Sequence, residues 1–276
     1  MAIFTFGTFK LDKFMTEQTI HVPIMSEVFA QGHKPEFLYW VGCAGAYDFR
    51  YKKVARAFVK ILNYAKIDFA VLGTEETCTG DPARRAGNEM LFQIQAMQNI
   101  QLFNQYEVKK ILTTCPHCYN TLKNEYPDLG LKCEVIHYTE LINELIRKDI
   151  IPSVKANDES VTYHDPCYLG RANKIYDAPR NIVHNMGYTL NEMKKNKSFA
   201  LCCGAGGAQF FKESEPGTKE IYTHRAEQAL ATDAKNIITA CPFCISMLTD
   251  GLKSLNKEEE VQVKDIAEIV VEKLGL

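Results

Sequence analysis

The chain has 276 residues, of which 46% are apolar, 24% charged and 11% aromatic, ordinary fractions that exclude a disordered, collagen-like or coiled-coil chain. Its 32 Lys and Arg against 34 Asp and Glu leave a net charge of -2, so nothing in the charge argues for nucleic acid or an anionic membrane surface. The length suits one large domain or two small ones. No run reaches the roughly 18–20 apolar residues of a spanning helix.

In chain order, MAIFTFGTFKLDKFMTEQ carries lysines after a short apolar run and has no small-residue cleavage site, so it does not read as a signal peptide. Residues 1–35 are expected to form an N-terminal arm, with Met15 or Met25 as alternative starts. FLYWVG (37–42) predicts a short buried strand ending at Cys43. Val54, Ala57, Phe58, Ile61, Leu62 and Ala65 recur at spacings of three and four and predict one helix face. DFAVLG (68–73) predicts a second strand leading to Cys78. Asp81-Pro82 opens the next helix, with Met90, Ile94 and Met97 keeping its period. VKKILTT (108–114) is a third strand that runs into Cys115-Pro116-His117-Cys118. Cys133, in the apolar run CEVIHY, reads as a buried core cysteine.

The stretch Asp149–Glu159 is mostly polar after Ile151-Pro152 and reads as a linker. VTYHD (161–165) and NIITA (236–240) then predict strands before Cys167 and Cys241. The charged run Lys257–Glu260 is expected to be a solvated loop before an amphipathic helix marked by Ile266, Ile269 and Val270. Strands alternating with helices imply an α/β fold with parallel sheets.

Ten cysteines are the unusual feature, and their spacing repeats. Cys43 to Cys78 is 35 positions, as is Cys167 to Cys202, and each series closes on Cys-Pro-X-Cys: Cys115–Cys118 and Cys241–Cys244. The flanks Lys109–Thr114 and Lys235–Ala240 agree. Gly80 follows Cys78 by two as Gly204 follows Cys202, Arg56 and Arg180 share an offset, and Leu122 and Leu248 both lie four beyond the last cysteine. These coincidences predict a tandem duplication, with a first unit over 36–150 and a second over 151–276, each a small parallel sheet flanked by helices.

A disulfide framework suits short secreted chains, so this many cysteines point to metal. They fall where strands end, which is where ligand sites gather in parallel sheets. Zinc sites with four cysteines combine two chelating pairs, whereas each unit here has one Cys-Pro-X-Cys pair plus distant cysteines. Adjacent Cys202 and Cys203 are awkward for one tetrahedral ion and easier for an iron–sulfur cluster, which spans several ångströms. Spacing therefore favours a cluster in the second unit, with zinc and a disulfide or thiol site as the alternatives.

HDPCYLGR (164–171), LCCGAGG (201–207) and CPFC (241–244) resemble the cysteine-rich CCG domain. That family includes the catalytic subunits of heterodisulfide reductase, the glycolate oxidase iron–sulfur subunit and lactate-utilisation protein A. The resemblance covers about residues 36–254. It implies one cluster per complete motif, in the heterodisulfide reductases a noncubane 4Fe–4S cluster on five cysteines, here Cys167, Cys202, Cys203, Cys241 and Cys244. The first unit departs from the pattern, because Cys78-Thr79-Gly80 stands where the family has Cys-Cys-Gly. Cys43, Cys78, Cys115 and Cys118 remain, enough for an ordinary second 4Fe–4S cubane, with zinc or a vacant site as alternatives.

Gly204-Ala205-Gly206-Gly207 matches no phosphate-binding loop, and its expected role is to let the backbone approach a cluster and donate N–H to sulfur. His164 and His117 read either as hydrogen-bonded turn histidines or as proton donors beside a cluster, and His164 and Cys203 are the candidates for catalysis. Arg56, Arg84, Arg85, Arg171 and Arg180 read as capping or solvated arginines, or as groups for a substrate carboxylate or cluster charge.

The expected function is an iron–sulfur oxidoreductase subunit. It relays electrons in lactate or glycolate oxidation or carries out heterodisulfide-reductase-like chemistry. Its expected partners are a ferredoxin-type iron–sulfur subunit, a flavoprotein or a membrane redox subunit, and its expected place is the cytoplasm, peripheral to the membrane through such a partner. The alternative is a zinc-stabilised, non-redox interaction scaffold.

Overall fold

The computed structural model describes residues 20–156, 158–213 and 216–276. Four strands, β1 (Phe37–Trp40), β2 (Phe69–Ala70), β3 (Lys110–Thr113) and β4 (Glu134–His137), make one sheet in the order β2-β1-β3-β4. Four more, β5 (Ser160–Tyr163), β6 (Thr189–Leu190), β7 (Asn236–Thr239) and β8 (Gln262–Asp265), make another in the order β6-β5-β7-β8. The two orders are the same, so the repeat in the cysteines is a repeat of topology. Every pairing is parallel, with Leu38 opposite Ile111 in the first sheet and Tyr163 opposite Ile238 in the second. Parallel neighbours need crossovers, which cover both faces with helices, and the strands are accordingly apolar on both faces.

Those helices are α1 (Met25–Ala30), α2 (Gly42–Tyr47), α3 (Phe49–Tyr64), α4 (Asp81–Arg85), α5 (Glu89–Gln105), α6 (Pro116–Asn120) and α7 (Tyr138–Arg147) in the first half. The second half has α8 (Asp177–Asn185), α9 (Ile221–Leu230), α10 (Pro242–Ser254) and α11 (Ile266–Leu274). α3 starts where the Asp48 carboxylate accepts from Tyr51 N at 2.7 Å, and it buries Val54, Ala57, Phe58, Ile61 and Leu62 as their spacing predicts. Each large side chain so buried contributes about 1.5–3 kcal/mol. α11 starts at a reciprocal cap between Asp265 and Glu268 and buries Ile266, Ile269 and Val270.

The two sheets share a core. α3 packs on α11 and α7 on α8, each pair joining one helix from each half. Arg50 donates to both Glu268 oxygens at 2.6 and 2.7 Å, and Tyr138 Oη donates to Asp265 at 2.6 Å. Ile151, from the stretch expected to be a linker, is buried in the same apolar cluster as Tyr39, Phe58, Tyr163 and Ile266. Residues 1–19 of the expected arm, Met15 included, lie outside the described residues. The rest of the arm holds α1, and Met25 is buried, its N–H donating to Val71 O at 2.8 Å. Among the described residues no helix is long and apolar enough to cross a membrane.

Two expectations need correction. The helix expected from Asp81 breaks after Arg85, and Gly87 has φ +88°. α5 then exposes Met90 (75%), Ile94 (47%) and Met97 (64%) and buries Phe92, Ala96, Ile100 and Phe103 instead. Both stripes have helical period; Phe103 and Phe92 go inward because Trp40 and Tyr126 offer edge-to-face partners at 5.6 and 6.1 Å. Cys133 is only half-buried, and its Sγ donates to Val108 O at 3.1 Å beside the start of β4.

Candidate metal centre

In both sheets the crossovers leave in opposite directions from the two central strands, which opens a crevice at their C-terminal ends. Cys43 follows β1, and Cys115 and Cys118 follow β3 across the first turn of α6. Cys78 comes in from the loop after β2. The second half repeats this with Cys167 after β5, Cys241 and Cys244 opening α10, and Cys202 and Cys203 in the loop before α9. Nine of the ten cysteines therefore reach the two crevices, and Cys133 does not.

In the second unit the five sulfurs form a continuous set. Cys244 Sγ lies 3.3 Å from Cys203 Sγ, and hydrogen bonds link Cys167 to Cys202, Cys202 to Cys203, and Cys241 to Cys244. In the first unit Cys43 contacts Cys78 and Cys115 contacts Cys118. Thr79 Oγ1 donates to Cys118 Sγ at 3.9 Å, so Thr79 occupies the place that Cys203 has against Cys244.

The backbone repeats too. Gly80 N and Gly204 N donate to Cys78 Sγ and Cys202 Sγ at 3.4 and 3.3 Å, and both glycines are left-handed, with φ +83° and +101°. Only glycine adopts that turn without strain, which accounts for Cys-X-Gly in both halves. The expected donation of N–H to sulfur from the glycine loop is thus present at Gly204.

Thiolate is the form that binds metal. A hydrogen bond from Cys43 brings Cys78 down to about 7. Burial raises the Cys241 thiol, but hydrogen bonds from Cys244 and His117 outweigh it and bring Cys241 down to about 5.

His117, inside the first Cys-Pro-X-Cys, is buried and its Nδ1 lies 3.0 Å from Asp81 Oδ2. Its other side hydrogen-bonds Cys241 of the second unit; burial lowers its basicity, but the two anions push it up to about 10. Phe243, inside the second Cys-Pro-X-Cys, lines the small cavity among the first unit's cysteines. The middle residue of each motif thus reaches the other unit's site. Cys115, Cys118, Cys203, Cys241 and Cys244 all belong to one buried cluster.

His164 is fully buried, and one of its nitrogens lies within 4.8 Å of the sulfurs of Cys203 and Cys244. Arg225 Nε donates to its Nδ1 at 2.9 Å. Nothing in the sequence pointed to Arg225, which sits in IYTHRAEQAL like any surface helix arginine. The arginines that were singled out have other work. Arg180 pairs with both oxygens of Asp165 at 2.8 and 2.9 Å and also binds Glu192, and Arg171 donates to Ala200 O. Arg84 and Arg85 pair with Glu125, Arg85 also with Asp81, and Arg56 is exposed. Beside Cys43 a cavity of about 270 Å³ opens to the surface between Tyr47, Phe210, Phe211, Phe243 and Ser246.

These residues fit a sulfur-rich metal group. The donor set is dominated by thiols, which suits a soft metal. Five contiguous sulfurs exceed what one tetrahedral ion takes. His164 Nε2 and Arg225 Nη2 are buried donors without a partner, as expected where a sulfur-bearing anion completes the site. Four thiols in the first unit suit either a cubane or a single ion.

Comparison with known proteins agrees with the repeat. The CCG family, described as a cysteine-rich domain, matches residues 37–123 and again 161–249. The chain is 44% identical over 245 residues to an EtfAB:quinone oxidoreductase of Syntrophomonas wolfei, covering 87% of this chain and 34% of that protein. It is 43% identical over 252 residues to a probable iron-sulfur-binding oxidoreductase, FadF, of Bacillus subtilis (91% and 36% covered). It is 36% identical over 253 residues to a component of the dihydromethanophenazine:CoB–CoM heterodisulfide reductase of Methanosarcina barkeri (88% and 60% covered). The chain thus spans about a third of the length of the two bacterial relatives.

Proposed function

The chain belongs to the cysteine-rich CCG family, with two copies of the domain, and from that premise we propose that it is an iron–sulfur electron-transfer component of a redox complex. Cys167, Cys202, Cys203, Cys241 and Cys244 hold one 4Fe–4S cluster, with five thiols as in the noncubane type. Cys43, Cys78, Cys115 and Cys118 hold a second, of cubane type. The observation that carries this reading is the set of five contiguous thiols.

Such clusters, when bound, supply one-electron oxidation and reduction. The chain's own residues hold and insulate them. Burial of Cys115, Cys118, Cys203, Cys241 and Cys244 keeps water from the sulfurs, and the N–H groups of Gly80 and Gly204 favour thiolate. His117 and Phe243 fill the space between the two sites, so the path from one to the other runs through packed side chains.

Relay is favoured over disulfide cleavage. Cys203 and His164, the two candidates for catalysis, are 3% and 0% exposed, so a disulfide would reach neither without opening the site. The apolar cavity beside Cys43 is the side from which a partner's redox group approaches. We propose as that partner a ferredoxin-type iron–sulfur subunit, a flavoprotein or a membrane redox subunit; that two relatives are named as a quinone oxidoreductase and a heterodisulfide reductase subunit supports a partner within a redox complex. Iron and acid-labile sulfide analysis with EPR on anaerobically purified protein tests the reading. Iron with matching sulfide is expected; stoichiometric zinc without iron would end it. Cys203→Ser tests the catalytic role: disulfide reduction should be abolished if the site is catalytic, and unchanged turnover in that variant would reject catalysis there.

A further inference from the structure

Arg225 is the only arginine among the largest fully buried side chains of the described residues, at 0% exposure. Its Nη1 donates to Lys195 O at 2.9 Å and Gln228 Oε1 at 2.8 Å, its Nε to His164, and its Nη2 to nothing. No carboxylate is among these partners. Arg180, buried in the same unit, shows the usual arrangement, with Asp165 and Glu192 both on its guanidinium. An unpaired buried cation costs several kcal/mol, so the anion that balances Arg225 has to be nearby. The negative charges that act on it are first that of the Asp165 carboxylate, which is already paired with Arg180, and then those of the Cys244, Cys203 and Cys202 thiols.

The contact with His164 determines a tautomer. A neutral imidazole has one lone pair and one N–H. Arg225 Nε–H can only donate, so His164 Nδ1 carries the lone pair and Nε2 the proton. Nε2 is buried without a partner on a ring that lies beside Cys203 and Cys244. It follows that Nε2 has no lone pair for a metal, and that His164 is not a sixth ligand. Among the described residues the first unit shows no equivalent pair. Trp40 stands at the position of His164, three residues before the first cysteine, and its indole N–H is also buried and unpartnered, but an indole N–H has no lone pair to accept from an arginine. Glu76 is the charged group there, accepting from Val41 N and Gly42 N.

We propose that His164, held in its Nε2–H form by Arg225, donates a permanent hydrogen bond to sulfur in the second-unit site, and that the pair raises the reduction potential of the cluster bound there. His164 acts on the cluster's sulfurs, and Arg225 is the positioning residue and counter-charge behind it. The physical reason is that reduction adds negative charge, which a nearby cation and an N–H donor stabilise more than they stabilise the oxidised form. His164 is therefore a fixed donor and not the proton carrier that its sequence position suggested. This inference rests on the reading that the second unit holds an iron–sulfur cluster.

The test uses the full chain purified anaerobically with its iron, titrated electrochemically while EPR follows each signal. Cys43→Ser and Cys167→Ser assign the signals to their units. His164→Leu and Arg225→Gln are each expected to make second-unit reduction at least tenfold less favourable, about 59 mV to lower potential for a one-electron couple, without moving the first-unit signal. Iron-loaded variants whose potential does not move would overturn the inference while leaving the cluster reading intact. A wild-type protein without iron would remove both. Should the variants lose their iron, His117→Gln protein labelled with ¹⁵N-histidine decides, because His117 also reaches Cys241: a weak nitrogen coupling to the second-unit cluster is expected. No coupling, or the strong coupling of a direct ligand, would overturn the assignment.

Discussion

His117 Nδ1 lies 3.0 Å from Asp81 Oδ2, and the opposite edge of the same imidazole reaches Cys241, a ligand candidate from the other half of the chain. One side chain therefore ties a helix start in the first unit to a sulfur in the second. His117→Leu would leave a buried carboxylate and a thiolate each short of a partner, and is expected to cost about 3 kcal/mol in denaturant unfolding. A double-mutant cycle with Asp81→Asn should give a coupling of about 1–3 kcal/mol. Strict additivity would count against the pairing.

Thr79 and Cys203 occupy equivalent places, each against the last cysteine of its own unit. Thr79→Cys should give the first unit a fifth sulfur without changing side-chain size much. Its EPR signal is expected to move toward that of the second unit, and Cys203→Thr should produce the reverse change. A first-unit spectrum unaffected by Thr79→Cys would mean that position 79 does not reach the metal.

Gly204 and Gly206 lie two residues apart but differ in what they permit. Gly204 has φ +101°, and an added Cβ would sit 3.4 Å from Met247 Cε, whereas a Cβ on Gly206 meets nothing within 4 Å. Gly204→Ala should destabilise by about 1–2 kcal/mol and weaken cluster retention, because the Gly204 N–H to Cys202 shifts with the turn. Gly206→Ala should stay within about 0.5 kcal/mol of wild type by thermal unfolding.

Asp265 caps α11 and accepts from Tyr138 of the first unit at 2.6 Å. Burial pushes its carboxyl up to about 8, more than the hydrogen bonds from Tyr138 and Ala267 N bring it down. The folded protein thus holds this proton more tightly than the unfolded chain, whose carboxyl ionises at about 4. The stabilisation is full below that value and is lost as pH rises through about 8. Asp265→Asn keeps the cap and removes the titration. Relative to wild type it should gain up to about 4 kcal/mol between pH 5 and pH 9, read as the difference between the two proteins' unfolding midpoints. Parallel pH profiles would contradict the burial argument.

Much of the site could be read from the sequence because its information is local. A cysteine two residues before a glycine, or a Cys-Pro-X-Cys after a strand, has the same meaning wherever the chain goes. Repetition at an offset of 124 residues, growing to 126 at the last pair, then implies the same fold twice. The duplication, the parallel strands before Cys43, Cys115, Cys167 and Cys241, and the faces of α3 and α11 follow from identity and spacing alone.

Tertiary structure decided which groups meet. Met90, Ile94 and Met97 have the same helical period as Phe92, Ala96 and Phe103, and only the neighbouring rings of Trp40 and Tyr126 determine which stripe goes inward. Arg225 and His164 are 61 residues apart in sequence, and Asp81, His117 and Cys241 come from three separate segments. Periodicity reports that a side chain is turned toward the core, but not what waits for it there. Hydrogen bonds and ion pairs act over about 3 Å, so they depend on how the two sheets pack, which the chain determines only as a whole.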